Sequence, residues 1–130
     1  MSIDRGRRLS TAHGGTGGSI VNVSSAAAYL GSPGEYVDYA ATKAAIDTMT
    51  IGLGRELADE GVRVNAVRPG VVRTEIHASG GEPGRAERVA GGVPMRRPGE
   101  PHEVAATILW LASDAASYVT AATVDCSGGR

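Results

Sequence analysis

Apolar and polar positions change period several times along this chain. "SIVNVSS", 19–25, sets branched apolar residues between a glycine cluster and a serine pair, as a short buried strand does. From Asp38 the pattern becomes helical: Ile46, Met49, Leu53 and Leu57 recur at spacings of 3, 4 and 4, which places them in one stripe. Asp38 is the expected N-cap and Gly61 the expected stop. Gly52 and Gly54 each cost about 1 kcal/mol inside a helix, so packing is expected to support that turn. "VRVNAV", 62–67, is a second strand. Residues 75–99 are rich in Gly, Pro and charge, with one helical turn near 83–90. Pro101 opens a further helix, with Val104, Ile108 and Leu111 as its stripe and Ala105, Leu109 and Ala112 widening it, and Ser113 and Asp114 end it. "TVDC", 123–126, is a last strand. Residues 5–12 read as a helix end stopped by "HGGTGG".

Strands alternating with helices predict an α/β fold with parallel pairing through right-handed crossovers. In such sheets ligands bind beyond the carboxyl ends of the strands. Ser24 and Ser25 end the first strand, Pro69 and Gly70 follow the second, and the helix beginning near Asp38 starts at the same edge if loop 26–37 folds over it.

Composition narrows the function classes. Hydrophobic residues make up 42% of the 130 residues, enough for a core, and the formal net charge of −1 argues against a nucleic-acid binder. A single cysteine, Cys126, excludes an intrachain disulfide. No run reaches transmembrane length and the N-terminus has no apolar signal segment, so the expectation is a cytoplasmic protein with no membrane partner. His13, His77 and His102 lack ligand spacing, so no metal site is expected.

What remains is proton chemistry. A phenol with a pKa of roughly 10 is a poor acid or base at neutral pH, and a nearby ammonium favours its ionised form. Tyr39 and Lys43 stand four apart and share a helix face, whereas Tyr36 is about two turns from Lys43. Tyr39 is therefore the better proton donor. A serine hydroxyl across the pocket can hold a substrate oxygen; "NVSSA" lacks the glycines of a nucleophile elbow. A Tyr-x-x-x-Lys spacing alone is common by chance, and its significance comes from its company.

That company is "GGSIVNVSS", "YAATK", "VRVNAVRPGVVRT", "PHEVAATILWLASDAASYVT" and the final "SGGR". In this order, and over nearly the whole chain from Gly14 onward, these segments resemble the C-terminal half of a short-chain dehydrogenase/reductase. They are similar in particular to the branch of 3-oxoacyl-acyl-carrier-protein reductases and glucose 1-dehydrogenases. The resemblance implies a partial Rossmann-like, doubly wound parallel sheet of about three strands, with residues 1–130 as the C-terminal portion of one domain and its N-terminal half missing. It implies NAD(P)-dependent interconversion of a secondary alcohol and a ketone. Tyr39 would be the general acid/base. Lys43 would tune it and hydrogen-bond the nicotinamide ribose, and Ser25, rather than Ser24, would hold the substrate oxygen. Pro69 and Gly70 would wall the nicotinamide, the Val72 backbone and Thr74 hydroxyl would contact its carboxamide, and residues 75–98 would form a substrate lid. The implied partners are an alcohol or carbonyl substrate, NAD or NADP, and copies of the same chain in a homo-oligomer.

Three departures bear on this. Ala121 stands where many relatives have glycine after "YVT", and Ser127 where many have Asp. The family's glycine-rich dinucleotide loop is absent: "HGGTGG" precedes a strand instead of joining a strand to a helix. The alternative expectation is thus a truncated, catalytically inactive half-domain acting as an interaction module or an incomplete gene product, with an open sheet edge and low stability as a monomer.

Overall fold

The computed structural model describes residues 3–74 and 84–130. Three strands, β1 (Gly18–Val23), β2 (Val62–Pro69) and β3 (Thr123–Cys126), form one sheet in that spatial order. Both pairings are parallel: Gly18 faces Val62 and Val23 faces Val67, while Ala66 faces Thr123 and Pro69 faces Cys126. Helices α1 (Ile3–Leu9), α2 (Ala27–Leu30), α3 (Val37–Glu56), α4 (Arg85–Ala90) and α5 (Pro101–Ala112) make the remaining order α1-β1-α2-α3-β2-α4-α5-β3. The alternation of strand and helix anticipated this. The short α2 was not anticipated.

Strand side chains alternate between faces, and their contacts assign the helices. Asn22 and Arg68 bond Thr50 and Asp47 of α3, so the even positions of β1 and β2 face α3. Ser19 and Arg63 bond the Leu111 carbonyl of α5, so the odd positions face α5. The core lies under α3, where Leu53 and Leu57 meet Val62 and Val64, with Leu9, Ile20 and Met49 packed around them. Of the expected stripe, Leu53 and Leu57 are buried, Met49 packs against them half-buried, and Ile46 is half-buried.

Several expectations are corrected. Asp38 is not the N-cap: α3 begins at Val37 with Tyr36 at the cap position, and Asp38 Oδ1 accepts the N–H of Tyr39 at 2.9 Å. Gly54 does have a packing reason, since a Cβ there would lie 2.6 Å from the Ala121 nitrogen. Gly52 has none, because a Cβ there would meet nothing within 4 Å. On α5, Leu111 is buried, but Ala105, Leu109 and Ala112 are exposed instead of widening the stripe. β2 runs two residues further than expected, to Pro69. Pro101 does open α5, reinforced by a capping box between Glu100 and Glu103.

Ala121 adopts a left-handed backbone, φ 57°, where a glycine is unstrained. Its N–H donates to the Val64 carbonyl at 2.8 Å, tying this strained turn to the core strand. The outer edge of β1 has no partner strand among the described residues. An open depression of about 560 Å³ runs along it beside Leu9 of α1. Among the described residues no helix is long and apolar enough to cross a membrane.

Candidate active site

The carboxyl ends of β1 and β2 are joined by backbone hydrogen bonds from Ser24 N–H to the Val67 carbonyl and from Ala26 N–H to the Pro69 carbonyl. Ser25 and Pro69 are thereby held side by side. Gly70 continues the line, with its N–H on the Cys126 carbonyl. A Cβ on Gly70 would lie 2.8 Å from the Ser127 Cα, so only glycine permits this approach. Ser127, at the position of the expected Asp, is buried, and its hydroxyl donates to the Arg130 carbonyl.

The second turn of α3 is pinned to the same edge by two bonds. Ser24 Oγ donates to the Lys43 carbonyl at 3.2 Å, and Lys43 Nζ donates to the Val23 carbonyl at 3.0 Å. Ser24 is buried and committed to this link. Ser25 is only half-buried, and its Oγ accepts the Ala27 N–H at 3.1 Å where α2 begins. Of the two serines, Ser25 is the one whose hydroxyl hydrogen is available for another acceptor. Tyr39 is 44% exposed. Lys43 Nζ lies 5.6 Å from the centre of its ring.

Segment 71–73 runs beside Gly99. Gly99 N–H donates to the Val71 carbonyl and Arg73 N–H to the Gly99 carbonyl, both at 2.8 Å. In a parallel bridge of this kind the peptide groups of the middle residue, Val72, point to the opposite side. Thr74 is exposed. Of the expected lid 75–98, residues 75–83, including His77, lie outside the described residues. The rest contains α4, which buries Ala86 and Ala90 and carries ion pairs on its outer side: Arg85 pairs with Glu35, and Arg73 pairs with both Glu87 and Glu100. Arg97 grips Glu103 through two bonds of 2.7 and 2.8 Å. That pairing, together with the Glu100 N–H, holds the Glu103 carboxyl at a pKa of about 2.

The expected glycine cluster lies at the other end of β1. A Cβ on Gly17 would lie 2.7 Å from the Gly61 carbonyl oxygen there, and Gly18 N–H donates to that carbonyl. Five strand steps separate Gly18 from Val23, about 17 Å, so "HGGTGG" is remote from Ser25 and Lys43. Among the described residues no group of three or more His, Cys, Asp or Glu could hold a metal ion.

One supporting cluster was not foreseen. Arg68 reaches Asp47 at 2.9 Å and Asp125 at 3.5 Å, and its guanidinium lies 5.4 Å over the Tyr29 ring. Tyr29 in turn donates to the Arg130 carbonyl. The signal was present in "VRVNAVRP": Arg68 shares its register with the inward Val62, Val64 and Ala66, and a charge in an inward position needs a partner.

The comparisons with known proteins agree with this layout. Residues 6–130 match the family model described as enoyl-(acyl carrier protein) reductase. The chain is 60% identical over 124 residues to the uncharacterized oxidoreductase YgfF of Escherichia coli, covering 95% of this chain and 50% of that protein. A solved short-chain dehydrogenase/reductase of the glucose/ribitol dehydrogenase type from Brucella melitensis superimposes with a TM-score of 0.76 at 40% identity, over 85% of this chain and 44% of that one. A blue fluorescent protein from a metagenomic library, solved in complex with NADPH, superimposes at 0.77 with 30% identity over 85% and 44%. The chain thus spans about half the length of the relatives it matches. From the parallel sheet, the Tyr39–Lys43 turn at its carboxyl edge and these similarities together, the chain belongs to the short-chain dehydrogenase/reductase family.

Proposed function

We propose that the chain carries the proton-transfer half of an NAD(P)-dependent oxidoreductase site acting on a secondary alcohol or its ketone. The observation that carries this reading is the pinning of the Tyr39–Lys43 turn to the carboxyl end of β1 by the Ser24 and Lys43 bonds, beside Ser25. In the reducing direction the Tyr39 hydroxyl gives its proton to the carbonyl oxygen as the C=O becomes C–O–H. In the oxidising direction its phenolate takes the alcohol proton. The Lys43 ammonium stabilises that phenolate by charge. The Ser25 hydroxyl donates to the substrate oxygen and orients it.

The described residues suit the nicotinamide end of a dinucleotide. Lys43 offers donors to a ribose, Pro69 and Gly70 form a close-packed wall, and the Val72 peptide and Thr74 hydroxyl would receive the carboxamide. The nicotinamide, when bound, supplies or accepts the hydride at the substrate carbon. The relative solved with NADPH supports this class of cofactor.

A second reading is supported by the unpartnered edge of β1 and by the remoteness of the glycine cluster from the site: a half-domain that does not turn over by itself. The two are separated by assaying this chain on a panel of secondary alcohols with NAD and with NADP, following reduced nicotinamide. Turnover that is abolished in Tyr39→Phe supports the oxidoreductase. A folded sample with no turnover supports the half-domain.

A further inference from the structure

Four side chains form a continuous file across the mouth of the site. The Arg85 guanidinium of α4 sits 5.0 Å over the Tyr36 ring. Tyr36 meets Tyr39 edge to face, with centroids 6.5 Å apart and planes at 71°. Lys43 follows, 5.6 Å from the Tyr39 centroid. Glu35 pairs with Arg85 and so holds the guanidinium against Tyr36.

Both tyrosines are nearly half exposed, 45% for Tyr36 and 44% for Tyr39. Burial therefore does not fix their rotamers, and exposed side chains exchange rotamers within nanoseconds. Edge-to-face ring contacts and cation–ring contacts each bias such an equilibrium by roughly two- to tenfold. The file supplies order to a ring that packing leaves loose.

We propose that Tyr36 and Arg85 are positioning residues for Tyr39, coupling the seating of α4 to the rotamer of the acid. This rests on reading Tyr39 as the acid. α4 buries Ala86 and Ala90, and its polar side is held by ion pairs at exposed or half-exposed positions, Arg85 to Glu35 and Glu87 to Arg73. Such anchors are weak singly and are screened by salt. When α4 is seated, Arg85 covers Tyr36, and Tyr36 holds the Tyr39 ring in one orientation. When α4 lifts, the file loses its outer member and the Tyr39 ring is released. Tyr36 is then more than a wall of the substrate pocket: it transmits the state of α4 to the proton donor.

The test uses NMR on the isotope-labelled 130-residue chain, reading Tyr39 χ1 populations from three-bond couplings and the Tyr36–Tyr39 ring-to-ring NOE. One dominant Tyr39 rotamer is expected in the wild type. Arg85→Ala should redistribute it and weaken the NOE by about threefold or more. Arg85→Lys should restore part of the effect, and Tyr36→Phe should leave the Tyr39 populations in place. Raising salt to about 1 M should shift the wild type in the direction of Arg85→Ala. Unchanged Tyr39 populations in Arg85→Ala overturn the proposal. If Arg85→Ala fails to fold, Glu35→Gln, at an exposed position, reads the same coupling, and unchanged populations there also overturn it. Turnover plays no part in this test, so its failure leaves the role of Tyr39 as acid standing, while a failure of that role is read separately, from Tyr39→Phe in the turnover assay.

Discussion

At its C-terminal end α3 buries Leu53, and Leu57 just past it, against Val62 and Val64, whereas its first turns leave Tyr39 exposed and linked to its surroundings by ring contacts and hydrogen bonds. One helix therefore serves two purposes by two kinds of force. The core end is fixed by apolar burial, which is non-directional and does not depend on charge pairing. The site end is fixed by directional contacts: Ser24 to Lys43, Lys43 to Val23, and Arg85 to Glu35 and Tyr36. On the proposed role of Tyr39, such an arrangement would let the chemical end adjust without loosening the fold, because proton transfer needs an accessible phenol and the core does not.

The contrast can be broken most strongly at the core. Leu53→Ala should cost about 2–5 kcal/mol, the range for a buried leucine truncated where neighbours relax only partly, read as a lower urea midpoint. A change below the reach of a surface substitution would mean that the core end of α3 is not where stability resides. A smaller effect of opposite sign is expected next door. Ala121 holds a left-handed backbone against Gly54. Relief of that strain, less the entropy cost of a glycine, should make Ala121→Gly more stable by about 0.5–1 kcal/mol. A destabilised variant would show that the methyl group matters more than the strain.

The smallest effect lies beside the site. The Glu103 carboxyl is lowered from an ordinary 4.5 to about 2, first by its hydrogen bond from Arg97 and then by the Glu100 N–H. A depressed folded-state value adds stability that is present above about 4.5 and is lost as pH falls toward 2. Glu103 is half-exposed, so the contribution is screened and modest. Thermal unfolding followed from pH 5 down to about 2 should be less pH-dependent in Glu103→Gln than in the wild type. An identical slope would show that the Arg97 pair does not act in solution.

What could be read from the sequence divides along the same line. The stripe Ile46–Met49–Leu53–Leu57, Pro101 at the start of α5 and the Tyr39–Lys43 spacing were legible because they are set by local periodicity. The start of α3 was misplaced because Asp38 has the side chain of a cap, yet the cap position falls two residues earlier, at Tyr36, and Asp38 bonds the next N–H. Arg85 on Tyr36 and Arg68 between Asp47 and Asp125 join residues far apart in sequence. No spacing rule brings such pairs together; only the folded chain does. Lys43 was correctly placed on the Tyr39 face, but its bond to the Val23 carbonyl depends on where β1 ends against α3.

The central claim is that the exposed end of α3 carries the chemistry while its buried end carries the stability. Tyr39→Phe tests it most directly when turnover of a secondary alcohol and the urea midpoint are measured on the same preparation, beside the wild type. The account predicts turnover in the wild type, its loss in Tyr39→Phe, and an unfolding midpoint that does not move. Turnover persisting in Tyr39→Phe, or a midpoint that falls as far as that of Leu53→Ala, would contradict it.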